Sequence, residues 1–372
     1  MTTVVDGLEP LAGFTIGVTA DRRRDELSAL LERRGARVVL APALRIVPLA
    51  DDSELRAATL SCVDDPPDIV IATTGIGLRG WLEAAEGWGL AEALRSRLAA
   101  SYLIARGPKA RGAVRAAGLV DAWSPDSESC DEVLDHLLGD AFPNGIAGRR
   151  VAIQLHGEAQ PEFCASIRMA GADVVEVPVY RWAPPTDPAP LRRLVDLTAN
   201  RLVDAVTFTS APAVTSLLRA AGEDADAVLD ALRTDVLAAC VGPVTAAPLY
   251  ARGVPVAAPA RARLGALART LVDELPRRAR TLRIAGAAIT LRGHAAVVDG
   301  ALRPLAPAPM AVLRALAESP GRVLSRSALL QALPRGADEH AVEMAVARLR
   351  AALGGPSYVQ TVVKRGYRLR ID

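Results

Sequence analysis

Flat side chains are scarce in this sequence. Phe, Trp and Tyr make up 3% of 372 residues, and the apolar half (51%) is mostly Ala, Leu and Val. Such a chain builds aliphatic cores and is poorly equipped to bind nucleic acid by base stacking. Lysine occurs only as Lys109 and Lys364, and the Arg-rich remainder suggests a GC-rich genome. No apolar run approaches the roughly 18 residues of a spanning helix, so no membrane partner is expected. The first residues lack a basic stretch followed by an apolar run, so no secretory leader is expected and the cytoplasm is the expected location. Cys62, Cys130, Cys164 and Cys240 show no C-x-x-C spacing, and His136, His156, His294 and His340 form no H-E-x-x-H pair. Neither a metal site nor a disulfide framework is expected, and no cofactor is called for.

The length allows two or three domains. Charge is unevenly spread. Residues 281–372 hold 13 Lys and Arg against 6 Asp and Glu, a net of +7, whereas residues 1–280 carry a net of −5. A basic domain on an acidic body is the pattern of a chain that meets nucleic acid at one end.

Before residue 275 the sequence is written twice. LAGFTIGVTADRRRDELSALLERRGARVVLAPALRIVP from Leu11 returns as IAGRRVAIQLHGEAQPEFCASIRMAGADVVEVPVYRWAP from Ile146. DIVIATTGIGLRGWLEAA from Asp68 returns as DAVTFTSAPAVTSLLRAA from Asp204, and ARGPKARGAVRAAGL from Ala105 as CVGPVTAAPLYARGV from Cys240. The offset stays at 135 or 136 throughout (Gly13/Gly148, Gly35/Gly171, Pro42/Pro178). Short Val/Ile/Leu runs at 15–19, 37–40, 69–73, 101–105, 151–155, 173–177, 204–208 and 236–241 alternate with helical spacing. They lack strict polar alternation, as parallel strands buried on both faces do. The expected fold is α/β: two doubly wound parallel-sheet lobes, followed by a smaller α+β domain.

The duplicated unit resembles uroporphyrinogen-III synthase, which closes hydroxymethylbilane with inversion of one ring. The resemblance rests on Thr209-Ser210 after a strand, on the G-P-x-T turn of Gly242, Pro243 and Thr245, and on the V-Y-R crossover around Tyr180. It implies a chain that crosses twice between lobes at Ala43–Pro48 and Val179–Pro184. Lobe one is then 1–46 with 182–275, lobe two is 47–181, and 276–280 is a linker. The resemblance implies an interlobe cleft with Tyr180 as the candidate catalytic residue. Tyr180 assists loss of a hydroxyl in one reading, and packs a hinge in the other. Gly75-Ile76-Gly77-Leu78-Arg79-Gly80 spells G-x-G-x-x-G, which alone suggests a dinucleotide site. The other copy reads Ala211-Pro212-Ala213-Val214-Thr215-Ser216 there, so a general anion site at the helix N-termini fits better. Candidate ligand contacts are Thr74, Gly75, Arg79, Gly107, His156, Thr209, Ser210, Gly242 and Thr245, with a tetrapyrrole-like or smaller anion as ligand. Helix capping competes with ligand contact at Thr245, and a solvent-facing turn competes at His156. Departures from the family count against catalysis: Ala110 replaces a hydroxyl residue, Thr19-Ala20-Asp21 replaces Thr-Arg, and His156-Gly157-Glu158 replaces an Arg-Gly turn.

Residues 281–371 resemble the winged helix of the OmpR/PhoB type. Ser325-Arg326 with Leu329, Arg348-Leu349-Arg350 with Leu353, and Thr361-Val362 with Gly366-Tyr367-Arg368 all match its pattern. On the helix expected at 339–353, Val342, Val346, Leu349 and Leu353 make the buried stripe. Ala341, Ala345 and Arg348 are expected to face the major groove, with His340 at the entering end; the resemblance places Arg350 on the DNA backbone, and a salt bridge to an acidic neighbour competes with that reading. Thr361, Lys364 and Arg365 of the expected wing complete the DNA-binding set.

The combined reading is a transcriptional regulator that binds double-stranded DNA, with RNA polymerase and a homodimer on DNA as further partners. Fusions of this layout are associated with nitrate and nitrite assimilation genes. Two rivals stand beside it: a bifunctional protein that still makes uroporphyrinogen III, and a fusion whose synthase-like part only dimerises.

Overall fold

A computed structural model describes residues 8–139, 141–155, 157, 160–333 and 338–372, and of Glu339 the backbone alone. The chain divides into two compact units, Met1–Leu44 with Pro185–Asp372 and Arg45–Pro184. The first copy of the repeat supplies β1 (Thr15–Val18), β2 (Arg37–Leu40), β3 (Arg45–Pro48), β4 (Ile69–Ala72) and β5 (Tyr102–Ala105). The second supplies β6 (Arg150–Gln154), β7 (Asp173–Val177), β8 (Tyr180–Ala183), β9 (Ala205–Phe208), β10 (Leu237–Cys240) and the short β11 (Val256–Ala257).

The copies exchange halves. One parallel sheet runs β11-β10-β9-β1-β2 and the other β5-β4-β6-β7. Each therefore joins strands from both copies, and the register repeats as well. Ile16 pairs with Ala205 as Val151 pairs with Ile69. Thr15 pairs with Arg37 as Arg150 pairs with Asp173. Leu237 pairs with Ala205 as Tyr102 pairs with Ile69. All three correspondences follow the sequence offsets of 135 and 136. Gly35 and Gly171, which end equivalent turns, both adopt left-handed backbone (φ 88° and 87°), where a side chain is strained. The crossover strands β3 and β8 pair antiparallel, with Ile46 opposite Trp182, inside the unit Arg45–Pro184.

Two-sided burial explains the unbroken apolar runs. From β4, Ile69 and Ile71 join Ile104, Val151 and Ile153 on one face. Val70 and Ala72 join Trp81, Leu78 and Ala152 on the other. Each large aliphatic side chain so buried contributes about 1.5–3 kcal/mol.

The residues expected as a linker at 276–280 are mostly helix. The helix Leu264–Arg278 runs through Pro276, and only Ala279 and Arg280 separate it from the next strand. Proline disrupts a helix interior, but here it lies in the last turn, beside a Leu275 buried in the lobe core.

The C-terminal domain opens with an antiparallel meander of β12 (Thr281–Ile284), β13 (Ala287–Arg292), β14 (Ala295–Val298) and β15 (Ala301–Pro304). Helices Pro307–Glu318, Arg326–Ala332 and Glu339–Leu353 follow, then a hairpin of β16 (Val359–Val362) and β17 (Gly366–Leu369). Ile289, Leu313, Leu316, Leu329, Val342, Val346, Leu349, Tyr367 and Leu369 share one core. Ser325 caps its helix by accepting the Ala328 amide at 3.1 Å. Gly366 is required by contact: a Cβ there would lie 1.9 Å from the Leu324 carbonyl oxygen, because Leu324 and Tyr367 exchange backbone bonds of 2.8 and 2.9 Å.

Candidate functional sites

In the unit Arg45–Pro184 a polar cluster gathers at the C-terminal ends of β4 and β6. Thr74 caps the helix Gly75–Gly87, its hydroxyl accepting the Gly77 amide at 3.1 Å. The same hydroxyl lies 3.2 Å from the phenolic oxygen of Tyr180. Behind them is Gln154, fully buried, whose side-chain oxygen accepts the Thr74 amide at 3.0 Å. Thr73 donates to the Gln154 carbonyl at 2.6 Å. Tyr180 is 8% exposed. Two hydroxyls beside a helix N-terminus can hydrogen-bond an anion or a leaving hydroxyl.

The glycines of the G-x-G-x-x-G run are explained by packing. A Cβ on Gly75 would lie 2.2 Å from the Lys109 carbonyl oxygen, on Gly77 1.9 Å from the Gln154 amide nitrogen, and on Gly80 3.0 Å from Val179. The helix needs these glycines to sit against its neighbours, so they carry no signal of their own for a dinucleotide. Gly75 is buried, whereas Arg79, on the same helix, is exposed. Gly107 precedes the helix Pro108–Ala116 in extended backbone, where a Cβ would meet Glu128 at 3.2 Å.

Lobe one holds the equivalent slot with different side chains. Thr209 and Ser210 correspond to Thr73 and Thr74 and are half-buried; the Ser210 hydroxyl makes no cap bond to the helix Ala211–Ala221. Thr19 stands where the other copy has Gln154, and donates to the Thr207 carbonyl at 2.7 Å. Leu44 stands where the other copy has Tyr180. Gly242 precedes the helix Pro243–Tyr250, and Thr245 is 6% exposed in its first turn without capping it. His156 lies outside the described residues.

The candidate nucleic-acid surface is the outer face of the helix Glu339–Leu353 with the hairpin tip. Asp338 caps this helix through the Ala341 amide at 2.8 Å. Val342, Val346, Leu349 and Leu353 are buried. Ala345 is buried with them at 2% exposure, which corrects its expected place in the groove. The outward face is instead His340, Met344, Ala347 and Arg348. Arg350 is engaged within the protein. Its guanidinium bonds the Val359 carbonyl at 2.8 and 2.7 Å and the Thr361 hydroxyl at 2.8 Å, and lies over the Tyr367 ring. It ties the helix to the hairpin, and Thr361 is its acceptor. Lys364 and Arg365 are exposed at the tip, Lys364 with left-handed backbone (φ 61°), next to a Val363 that is 79% exposed.

Comparison with known proteins fits both parts. The family described as uroporphyrinogen-III synthase HemD matches residues 25–269. The chain belongs to this family. A crystallised mutant uroporphyrinogen-III synthase from Thermus thermophilus is 30% identical, with a TM-score of 0.59, covering 70% of this chain and all of that one. The uncharacterized protein YjjA of Bacillus subtilis (strain 168) is 30% identical over 260 residues, 69% of this chain and 94% of its own. A putative uroporphyrinogen-III synthase of Methanothermobacter thermautotrophicus is 28% identical over 240 residues, 64% of this chain and 89% of its own. The family described as transcriptional regulatory protein, C terminal, matches residues 301–369. This HemD-family chain therefore carries a regulator-type winged helix at its C-terminal end.

Within the HemD part the sequence reading passed over Gln154, a polar side chain ending the otherwise apolar run of β6. In the winged helix it passed over Met344, 42% exposed on the outward face. Among the described residues no group of three or more His, Cys, Asp or Glu is arranged to hold a metal ion, and no helix is long and apolar enough to cross a membrane.

Proposed function

We propose that this protein is a transcriptional regulator, in which the winged helix binds double-stranded DNA and the HemD part senses an anionic ligand. The observation that carries the proposal is the division of labour on the helix Glu339–Leu353. One stripe is sealed in the core, while His340, Met344, Ala347 and Arg348 stay exposed beside Lys364 and Arg365. This surface belongs to a domain of net charge +7. Arg348 suits a guanine edge or a phosphate, and the tip cations suit phosphates or the minor groove. Two copies on half-sites about one helical turn apart would supply the affinity one small domain lacks, and RNA polymerase is the natural further partner. Control of nitrate and nitrite assimilation genes rests on the resemblance alone. Gel-shift titration of the full chain against a random-sequence duplex pool, followed by sequencing of the retained DNA, tests the proposal. Enrichment of a motif supports it.

For the HemD part we propose a carboxylate-rich tetrapyrrole or smaller anion, supported by the hydroxyl and amide groups around Thr74. A ligand bound only by the native state raises the melting temperature by mass action, so a thermal-shift screen with tetrapyrroles and small anions tests it. The Thr74–Tyr180 hydroxyl pair is the specific observation that favours the second reading, a retained synthase.

A further inference from the structure

Both copies of the repeat place an aspartate before a central strand, and both use it alike. Asp68 accepts the Arg150 amide at 2.8 Å and Asp204 accepts the Thr15 amide at 2.7 Å. Arg150 and Thr15 open the neighbouring strands β6 and β1. The surroundings differ. Asp68 is exposed, but the Asp204 side chain is only 10% exposed, because the winged-helix domain sits on it.

The cover is polar and specific. Arg314, on the helix Pro307–Glu318, brings one guanidinium nitrogen 3.6 Å from the second oxygen of Asp204. The same group donates to the Gly293 carbonyl at 3.0 Å and to the Arg201 carbonyl at 3.4 Å. Between β13 and β14 the chain presses so close that a Cβ on Gly293 would lie 2.1 Å from Asp204. His294 places Nδ1 2.8 Å from the Thr15 hydroxyl, and its amide donates to the Gly13 carbonyl at 3.0 Å. Arg292, buried, donates to the Ala12 carbonyl at 3.1 Å and lies over the Phe14 ring.

We infer that Asp204 and Arg314 form a seat through which the HemD part positions the DNA-reading helix. Val312, Leu313 and Leu316 flank Arg314 on its helix and share a core with Val342, Val346 and Leu349 of the helix Glu339–Leu353. An orientation set at Arg314 is thus carried to the reading face by packed helices. At the other end, β1 and β9 lead to Thr19 and to Thr209-Ser210, about 13 Å away along a four-residue strand. That half of the inference rests on the ligand-sensing reading.

The charges around the seat fix its response to pH. Arg314 faces Asp204 from its helix, His294 and Arg292 come from the β13–β14 end, and Arg37 of β2 acts on His294. The Arg201 guanidinium is engaged elsewhere, by Asp230 and Asp235. Burial raises the Asp204 carboxyl to about 6, against the pull of the Thr15 amide and Arg314. An acid raised by burial favours the closed seat when protonated. That contribution is complete below the ordinary value of 3.8 and is lost as pH rises through about 6.

The test uses the full chain and two readouts. One is tryptic cleavage after Arg280, normalised at each pH to an unfolded peptide. The other is affinity for a duplex selected from a random pool by the wild type. Arg314→Ala is expected to speed cleavage about tenfold and weaken binding several-fold, with Arg314→Lys between it and the wild type. His294, held low by burial, gives the opposite trend in both proteins, so Asp204→Asn is expected to lose, relative to the wild type, the protection that grows from about pH 7 to pH 4. Wild-type cleavage and affinity in Arg314→Ala, or an unchanged pH profile in Asp204→Asn, would overturn the seat. If Arg314→Ala fails to melt cooperatively, the Asp204→Asn profile decides. A wild type that binds no duplex overturns the regulator reading, while the cleavage rates still judge the seat.

Discussion

Arg350 donates two hydrogen bonds to the carbonyl oxygen of Val359, at 2.8 and 2.7 Å. A motif arginine that sequence reading assigns to the DNA backbone is thus occupied within the protein. Arg350→Ala should lower stability by about 1–3 kcal/mol, because it strips a partly buried carbonyl of its donors. Thermal melting measures this. If this engagement holds Arg350 away from the DNA, the salt dependence of binding should keep its wild-type slope; a slope flattened by about one unit would instead place it on a phosphate.

Arg348→Ala should do the opposite. The side chain is exposed and has no role in the core, so stability should stay within about 0.5 kcal/mol. DNA affinity should fall by about 1–3 kcal/mol, with relaxed preference at one base pair, if the guanidinium holds a guanine edge. Binding-site selection with the variant reads both. Ala345→Arg should unfold the domain, whereas Ala347→Arg should leave it folded.

These residues show what a sequence discloses and what it hides. The duplication was legible because apolar strands and turn glycines recur at a fixed offset, and the structure repeats their register from Ile16–Ala205 to Val151–Ile69. The buried stripe of the helix Glu339–Leu353 was legible because Val342, Val346, Leu349 and Leu353 are large and apolar. The choice between Ala345 and Ala347 was not, because alanine weighs almost nothing on either face. The intramolecular role of Arg350 was not legible, because its partner is a backbone carbonyl, which has no letter. Asp204 and Arg314 meet across an interval that no local period spans, although the paired Asp68 and Asp204 at equivalent positions marked one half of the contact.

Thr74 and Tyr180 separate catalysis from binding. With Ala110 and Thr19-Ala20-Asp21 departing from the family pattern, hydroxymethylbilane should yield only the spontaneous type I isomer. Chromatography of the isomers checks this. Type III product above background, lost in Tyr180→Phe, would establish the retained synthase instead. Thr74→Ala should cost about 1 kcal/mol through loss of its cap.

His294 adds an acid-side limit to stability. Burial holds its imidazole below the ordinary value of 6.5, with Arg37 adding to the effect. The folded chain then favours neutral His294, so this contribution is complete above the unfolded value and is lost as pH falls through the lowered one. In an Asp204→Asn background, which removes the opposing contribution of Asp204, melting temperature should drop on acidification, and His294→Asn should flatten that drop. An identical acid limb in the variant would show that another group controls it.

The regulator reading is tested most directly by the salt dependence of duplex binding by the full chain. Log affinity should fall linearly with log salt concentration, because each neutralised phosphate releases counterions. Lys364→Ala should weaken all sequences alike and flatten the slope by about one unit. A folded chain whose duplex affinity does not change with salt, or that binds no duplex, would contradict the account.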